Sequence, residues 1–184
     1  RFAAAGYRAL VPDLYRGRST LDAKEAEHLM TGLDFADAAS QDIRGAVQYL
    51  ERSGSAKCGV TGFCMGGALT VLAAVMAPEV DAAVTWYGYP PLEFVDAGKV
   101  RAPIMGHWGL RDEFFAIAGV DALEAKLQAA GVRCEFHRYD AKHAFANETQ
   151  VGAARLLPVL EYQSDAAALA WQRTLEFLGR ELGR

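Results

Sequence analysis

The sequence predicts an α/β fold, with a mostly parallel sheet that is covered by helices on both faces. Short apolar, β-branched runs alternate with longer runs in which apolar residues recur at helical spacing. This alternation is typical of parallel strands joined by helical crossovers. Five strands are predicted, at residues 7–11, 57–61, 82–87, 103–108 and 134–139.

Composition favours one domain, spanning residues 1–184. The chain has 184 residues, of which 52% are apolar, and a formal net charge of −4, which is enough for one sizeable core. Scattered charges and an acidic balance argue against a nucleic-acid or membrane partner. The longest apolar stretch, 68–77, is too short to cross a bilayer. Three widely spaced cysteines predict neither a disulfide framework nor a zinc site, which favours a reducing cytoplasm.

The first residues resemble the end of a helix with Gly6 as its C-cap, followed at once by the strand 7–11. The chain therefore begins inside an element, and we expect it to lack the first strands of its fold. Removing a strand from within a sheet would leave unpaired backbone groups and an apolar face. A homodimer that pools these elements is the favoured expectation, and direct pairing of 7–11 with 57–61 is the alternative.

Four helices are predicted besides the helical run at 68–77. A short one covers 22–31, and an amphipathic one covers 34–52, with Asp42 and Arg44 on its solvated side. The apolar face of the helix that is capped by Gly131 comprises Val120, Leu123, Leu127 and Ala130. The corresponding face of the last helix comprises Ala168, Trp171, Leu175, Leu178 and Leu182.

A nucleophile elbow is predicted at residues 60–68. A β-branched run leads into Gly-Phe-Cys-Met-Gly-Gly at 62–67, and a small-residue apolar run follows. This arrangement places Cys64 at a helix N-terminus, where the dipole and free N–H groups favour a thiolate and an oxyanion. The strained turn requires small neighbours, which Gly62 and Gly66 supply. The alternative is a buried cysteine beside a glycine-lined packing contact.

Candidates for an acid and a base follow later strands. In hydrolases with such an elbow, the acid and then the histidine come after the nucleophile in the chain. Asp112 lies just past the strand 103–108, and His143 just past 134–139, at the carboxyl ends where parallel sheets build their sites. Asp140 is a rival for the acid role. His107 and His137 fall inside strands and are interpreted as structural.

On these residues the chain resembles the dienelactone hydrolases, or carboxymethylenebutenolidases, of the α/β-hydrolase superfamily. The shared features are Pro-Asp-Leu-Tyr at 12–15, the elbow at 62–67, Asp112 after Gly109, His-Ala-Phe at 143–145 and the tail 166–175. A cysteine in the elbow is far more specific than a serine, and the resemblance covers nearly all of the chain. It implies an α/β-hydrolase fold without its first strands and a triad of Cys64, Asp112 and His143.

The resemblance also implies where a substrate would be held. The N–H of Met65 is one expected oxyanion donor; in the family another comes from a loop upstream of the first strand predicted here. Lys24 could bind a substrate carboxylate, as could an arginine at 16 or 18, although solvated surface charge is the simpler interpretation. Phe145, within the shared His-Ala-Phe segment, is a further substrate-binding candidate.

Position 147 departs from the family pattern. Dienelactone hydrolases carry an arginine four residues after the catalytic histidine, whereas this chain has Asn147. An amide brings no charge, so affinity for dianionic lactones should fall and a smaller or neutral ester is expected. Trp86, Tyr87 and Tyr89 could wall an aromatic substrate site or be ordinary core and rim aromatics. The apolar insertion at 151–161 could be a lid or an interface.

These features predict a carboxylic ester or lactone hydrolase that needs neither a metal nor an organic cofactor, with a small-molecule ester as its substrate. The first alternative is a catalytically silent protein of this fold that serves binding or assembly. The second is a redox role for Cys64, which is disfavoured because no resolving cysteine lies nearby in the sequence.

Overall fold

The computed structural model describes residues 1–183 and contains a four-stranded parallel sheet. Its strands are β1 (Gly59–Phe63), β2 (Ala82–Trp86), β3 (Ile104–Gly109) and β4 (Cys134–Tyr139), and they neighbour one another in chain order. The helices are α1 (Ala23–Thr31), α2 (Phe35–Asp37), α3 (Arg44–Arg52), α4 (Met65–Met76), α5 (Ile117–Ala129) and α6 (Ser164–Leu182). Shorter helical segments are Ala38–Ile43, Leu92–Phe94, Ala97–Lys99 and Gly152–Ala154. Within residues 1–183, no helix combines the length and apolarity needed to span a bilayer.

Helices cover both faces of the sheet, as predicted. Side chains alternate between the faces of a strand, and in β2 the side chain of Ala83 packs with α4 and α5. Its neighbours Val84 and Trp86 pack with α6 on the opposite face. Every residue of β2 and β3 is buried, which is why these strands are apolar runs without a polar side. The carboxyl end of the sheet is thereby held between two packed layers.

Residues 34–52 form one helical stretch in which a π-helical segment, Ala38–Ile43, joins α2 to α3. Ile43 and Val47 are buried on its inner side, as predicted. Arg44 is solvated, as predicted, with 38% of its side chain exposed, and its Nε and Nη2 atoms donate to the Glu79 carboxylate at 3.0 and 2.8 Å. These hydrogen bonds from Arg44 lower the pKa of Glu79 to about 2.

Residues 7–11 do not form the predicted strand. The apolar pattern of this segment fits a strand, but a strand also needs a neighbour with which to exchange hydrogen bonds. β1 pairs with β2 alone among the strands of residues 1–183, and Leu10 and Val11 are exposed. Residues 1–6 form tight turns that end at Gly6 with φ 85°, which agrees with its predicted capping role.

The inner face of α6 differs in part from the prediction: Leu178 is buried and Trp171 and Leu182 pack against the same cluster, as predicted, but Ala168 is exposed. The buried residues are Ala167, Ala170, Thr174, Phe177 and Leu178. Thr174 lies in the core because its hydroxyl bonds Nε2 of the buried His107 at 2.8 Å. An apolar pattern cannot reveal this, since a polar residue occupies a core position. Nδ1 of His107 bonds the Tyr139 hydroxyl at 2.9 Å, so His107 is structural, as predicted.

Candidate active site

Cys64 occupies the sharp turn between β1 and α4. Its φ of 55° and ψ of −119° are unfavourable for a residue with a side chain, and such strain is concentrated at functional sites. A Cβ on Gly62 would overlap the backbone of Gly66, so glycine is required there. A Cβ on Gly66 itself would meet open space, whereas one on Gly67 would lie 2.7 Å from the Trp86 carbonyl oxygen. The second obligatory glycine is therefore Gly67, not Gly66 as predicted.

The turn leaves a free donor beside the cysteine. The Cys64 carbonyl accepts the N–H groups of Gly67 and Ala68 at 2.8 and 3.2 Å. Met65 is the first residue of α4, and the first N–H groups of a helix have no intrahelical acceptor. The thiol makes no capping hydrogen bond. A thiol and a backbone N–H without an intrahelical acceptor thus come from adjacent residues.

His143 is held by Asp112 at the carboxyl end of the sheet. Its Nδ1 atom lies 2.8 Å from Oδ2 of Asp112, and the two side chains are only 4% and 2% exposed. Oδ1 of Asp112 accepts the N–H groups of Phe114 and Phe115 at 2.8 and 2.9 Å. The carboxylate is thus fixed by three hydrogen bonds and fixes the imidazole in turn, so that Nε2 remains free for another partner.

Asp140, the rival acid, points elsewhere. Its carboxylate pairs with Nε of Arg111 at 2.7 Å, and its side chain is 81% exposed. A solvated carboxylate in this position does not orient the His143 ring. Of the two carboxylates, Asp112 alone bonds the imidazole within residues 1–183.

Burial alone would lower the pKa of His143, but its hydrogen bonds with Asp112 and Cys64 and the negative charges of these groups outweigh burial and raise the pKa to about 9. Cys64 is thus one of the groups that favour the protonated imidazole. The elbow, the acid and the histidine come together although 79 residues of sequence separate Cys64 from His143 (143 − 64).

The raised pKa predicts that stability depends on pH. Because His143 binds its proton more tightly when folded than at its ordinary pKa of 6.5, protonation stabilises the fold fully below pH 6.5. This contribution, of the order of 2–3 kcal/mol, is lost as the pH rises from 6.5 to about 9.

Urea unfolding of the wild type and of His143→Gln at pH 6, 7.5 and 9.5 measures this contribution. The stability difference should shrink with pH; His28→Gln, on the exposed surface of α1, should show no such trend. A constant difference would contradict the raised pKa.

A groove of about 570 Å³ is lined by Phe63, next to Cys64 in the chain, and by Tyr87, whose ring contacts His143, but not by Cys64, Asp112 or His143 themselves. Its lining residues include Phe2, Phe63, Trp86, Tyr87, Asn147 and Trp171. Of the predicted substrate-binding residues, Tyr87 and Asn147 lie on this groove. Phe145 does not: it is fully buried and its ring packs against Tyr87 at 5.3 Å, so that expectation was wrong. Lys24 is exposed on α1 and is not among the residues that line the groove.

Two further residues of the site were not singled out in the sequence. The rings of Phe114 and Phe115 lie 5.0 and 5.6 Å from the His143 ring. Together with Tyr87, at 5.0 Å, they shield the imidazole from water. Phe114 and Phe115 follow Asp112 in the same loop, two and three residues later. This proximity is the one sequence signal that could have indicated that they shield the imidazole.

The parallel sheet with helices on both faces and the elbow at its carboxyl end define a protein of the α/β-hydrolase class. The sequence model of the dienelactone hydrolase family matches residues 1–182, so the chain belongs to the dienelactone hydrolase family, whose members are hydrolases.

Individual relatives agree with this assignment. The carboxymethylenebutenolidase of Rhodococcus opacus is 30% identical over 98% of this chain and 73% of its own length. A relative from Methylorubrum extorquens is 32% identical over 94% of this chain, and the match spans only 62% of that protein. The crystal structure of a dienelactone hydrolase-like promiscuous phosphotriesterase from metagenomic libraries has a TM-score of 0.86. The match covers 98% of this chain and 77% of the chain in that structure, at 22% sequence identity. It therefore supports the fold alone.

Proposed function

We propose that the protein hydrolyses small carboxylic esters or lactones, with Cys64 as nucleophile, His143 as base and Asp112 as the acid that orients it. The observation that carries this proposal is the buried Asp112–His143 pair, 2.8 Å apart, at the same end of the sheet as a strained cysteine with φ 55°. A merely structural cysteine needs neither the strain nor a buried proton acceptor. Three free cysteines suit a reducing cytoplasm, which is the proposed location.

In the acylation step, the thiol proton already resides on His143, whose pKa is raised to about 9. The Cys64 thiolate bonds through Sγ to the carbonyl carbon while the C=O π pair moves onto oxygen. The N–H of Met65 donates to this oxyanion. Collapse re-forms the C=O bond and breaks the bond to the leaving oxygen, which receives the proton from His143. Asp112 stabilises the imidazolium until it gives up this proton. The products are a thioester on Cys64 and a free alcohol.

In the deacylation step, His143 removes a proton from a water molecule, whose oxygen bonds to the thioester carbon. Collapse breaks the C–S bond, which restores the Cys64 thiolate, and His143 keeps the proton. The reaction uses protein side chains and water, with no cofactor among the reactants.

The groove favours neutral substrates. Its charged lining residues, Arg1 and Glu148, pair with each other at 3.0 Å, so neither charge is free for a carboxylate. Oδ1 of Asn147 accepts bonds from the N–H and the hydroxyl of Thr149 at 3.1 and 2.9 Å. Only the amide nitrogen of Asn147 remains for a ligand, and it carries no charge.

Replacing Asn147 by arginine should improve the use of an anionic lactone. A guanidinium at this exposed position adds a charged, bidentate donor, and KM for dienelactone should fall by about 10-fold, or ~1.4 kcal/mol. Steady-state kinetics on dienelactone and on p-nitrophenyl acetate measure the change. Asn147→Gln, which adds length without charge, is the control and should leave KM for the lactone as it is. An unchanged or higher KM in Asn147→Arg would mean that no carboxylate is bound near residue 147.

We also propose that two chains associate through the open side of β1. This strand has no second neighbour within residues 1–183, and Val11, Leu21 and Phe63 are exposed apolar side chains. An open parallel edge with apolar surface favours pairing with another chain. Light scattering after gel filtration should therefore give the mass of a dimer at micromolar concentration. A monomer that melts cooperatively would contradict this proposal.

Release of p-nitrophenol from p-nitrophenyl acetate by the purified chain tests the hydrolase proposal. Turnover well above the buffer rate is expected. A folded chain without turnover would instead favour a protein of this fold that serves binding or assembly, and turnover that depends on peroxide would favour redox chemistry at Cys64.

A further inference from the structure

Two hydrogen-bond donors at the end of β2 have no acceptor among residues 1–183. They are the indole N–H of Trp86 and the hydroxyl of Tyr87, and both residues line the groove. The Trp86 nitrogen is fully enclosed and out of reach of a ligand. The Tyr87 hydroxyl is therefore the donor that an acceptor atom of a ligand could engage, in place of water.

Tyr87 is held rigidly beside the proposed catalytic groups. Its N–H donates to the His107 carbonyl at 2.8 Å, and its φ of 38° is strained for a residue with a side chain. The ring meets His143 edge-on at 5.0 Å, and only 3% of the residue is exposed. Among the unpartnered side-chain donors of residues 1–183, only the indole nitrogens of Trp86 and Trp108 are fully enclosed. The Tyr87 hydroxyl therefore opens onto the groove.

This hydroxyl is a permanent donor. Burial, followed by the nearby charges of Cys64 and Asp112, raises the pKa of Tyr87 above its ordinary value. The phenol therefore keeps its proton at neutral pH. It can donate to a neutral oxygen but offers no charge to a cation.

The remainder of the groove selects against charge and for apolar chain length. Phe63 directly precedes Cys64 in the chain and lines the same groove as Tyr87, and the centroids of the two rings are 6.0 Å apart. Arg1 and Glu148 neutralise each other at the rim. The groove thus has aromatic walls and a hydrogen-bond donor, the Tyr87 hydroxyl, that no acceptor within residues 1–183 engages.

We propose that this groove is an acyl subsite for neutral oxo-acyl esters, whose second carbonyl oxygen accepts a hydrogen bond from the Tyr87 hydroxyl. The inference rests on the proposed hydrolase function, and it makes Tyr87 a residue that determines specificity. The substrate class is then an ester with an apolar acyl chain and one neutral acceptor oxygen set back from the scissile bond.

A pair of nearly isosteric esters tests the inference. The probes are 4-nitrophenyl 4-oxopentanoate and 4-nitrophenyl 4-methylpentanoate, with each kcat/KM divided by the rate constant for hydroxide hydrolysis. The ratio of oxo to methyl ester should be about 5-fold lower in Tyr87→Phe than in the wild type, the value of one neutral hydrogen bond. Tyr89→Phe is the control, because the Tyr89 hydroxyl is already engaged with the Ala116 carbonyl at 3.2 Å. Its ratio should equal that of the wild type.

Two results would overturn the inference. One is an unchanged ratio in Tyr87→Phe. The other is an equal loss for both esters, which would mean that the hydroxyl acts at the reacting carbonyl and not at the acyl chain.

Binding to Cys64→Ala separates this inference from the proposed function. Calorimetry should show the oxo ester binding more tightly than the methyl ester, and adding Tyr87→Phe should lower that preference by about 5-fold. A binding preference without wild-type turnover would refute the hydrolase proposal alone. Turnover without any preference would refute the subsite alone. The two ligands are first compared with Tyr87 intact, so equal affinities there would overturn the inference even if Tyr87→Phe failed to fold.

Discussion

Cys64→Ala is expected to lower kcat/KM for p-nitrophenyl acetate by about 10⁴-fold or more. Alanine keeps the small size that the elbow accepts, but it removes the atom that bonds to the carbonyl carbon. Residual hydrolysis would come from the Met65 N–H and from binding in the groove, and it is small because components of such a unit act together. Steady-state kinetics on purified variants measure the loss.

Cys134→Ala is the matched control for this loss. Cys134 is also a free cysteine, but burial raises the pKa of its thiol to about 11, so it remains a neutral thiol. Replacing Cys134 should leave kcat/KM within about 2-fold of the wild type, since a neutral thiol outside the proposed site takes no part in the acyl transfer. If Cys64→Ala kept the wild-type rate, another residue would have to be the nucleophile.

Asp112→Asn is expected to lower kcat by about 10³–10⁴-fold. An asparagine can keep the bonds from the Phe114 and Phe115 N–H groups through its oxygen, but it then presents its NH₂ group to Nδ1 of His143. The ring must accept that hydrogen bond, and the ring proton moves to Nε2. An imidazole in this tautomer cannot take the proton of Cys64. The fold should be retained, because the side-chain shape is unchanged.

The control is Asp140→Asn, at the carboxylate that the sequence left as a rival. The Asp140 carboxylate forms a solvent-exposed ion pair with Arg111, and exposed ion pairs contribute little to the free energy of unfolding. Its kcat should stay within about 2-fold of the wild type. Equal losses in Asp112→Asn and Asp140→Asn would contradict the assignment of the acid.

Local chemistry made the site the most predictable part of the chain. A strained turn between a strand and a helix needs glycines and exposes a reactive side chain, and both requirements leave a signature around Cys64. Positions just past strand ends then narrowed the partners to Asp112 and His143, with Asp140 as the rival. Hydrogen bonding, which no spacing reveals, distinguishes Asp112 from Asp140. The strands and helices could be predicted because strands leave short apolar runs in the sequence, whereas helices leave longer runs with apolar residues at helical spacing.

Errors arose where a tertiary partner decides the outcome. The segment 7–11 has a strand pattern but forms no strand of the sheet. Thr174 is buried because His107 needs a partner. Phe145 was assigned to the substrate because it follows the histidine closely, yet its side chain points into the core. None of these contacts is encoded in periodicity.

Intact-protein mass spectrometry of the chain quenched in acid during turnover of p-nitrophenyl acetate tests the central claim most directly. Wild-type protein should gain the mass of one acetyl group, and peptide mapping should locate it on Cys64; His143→Ala should not accumulate it at the same rate. Acetyl transfer to another residue during turnover, or turnover by a Cys64→Ala variant at the wild-type rate, would contradict a thioester mechanism at the elbow.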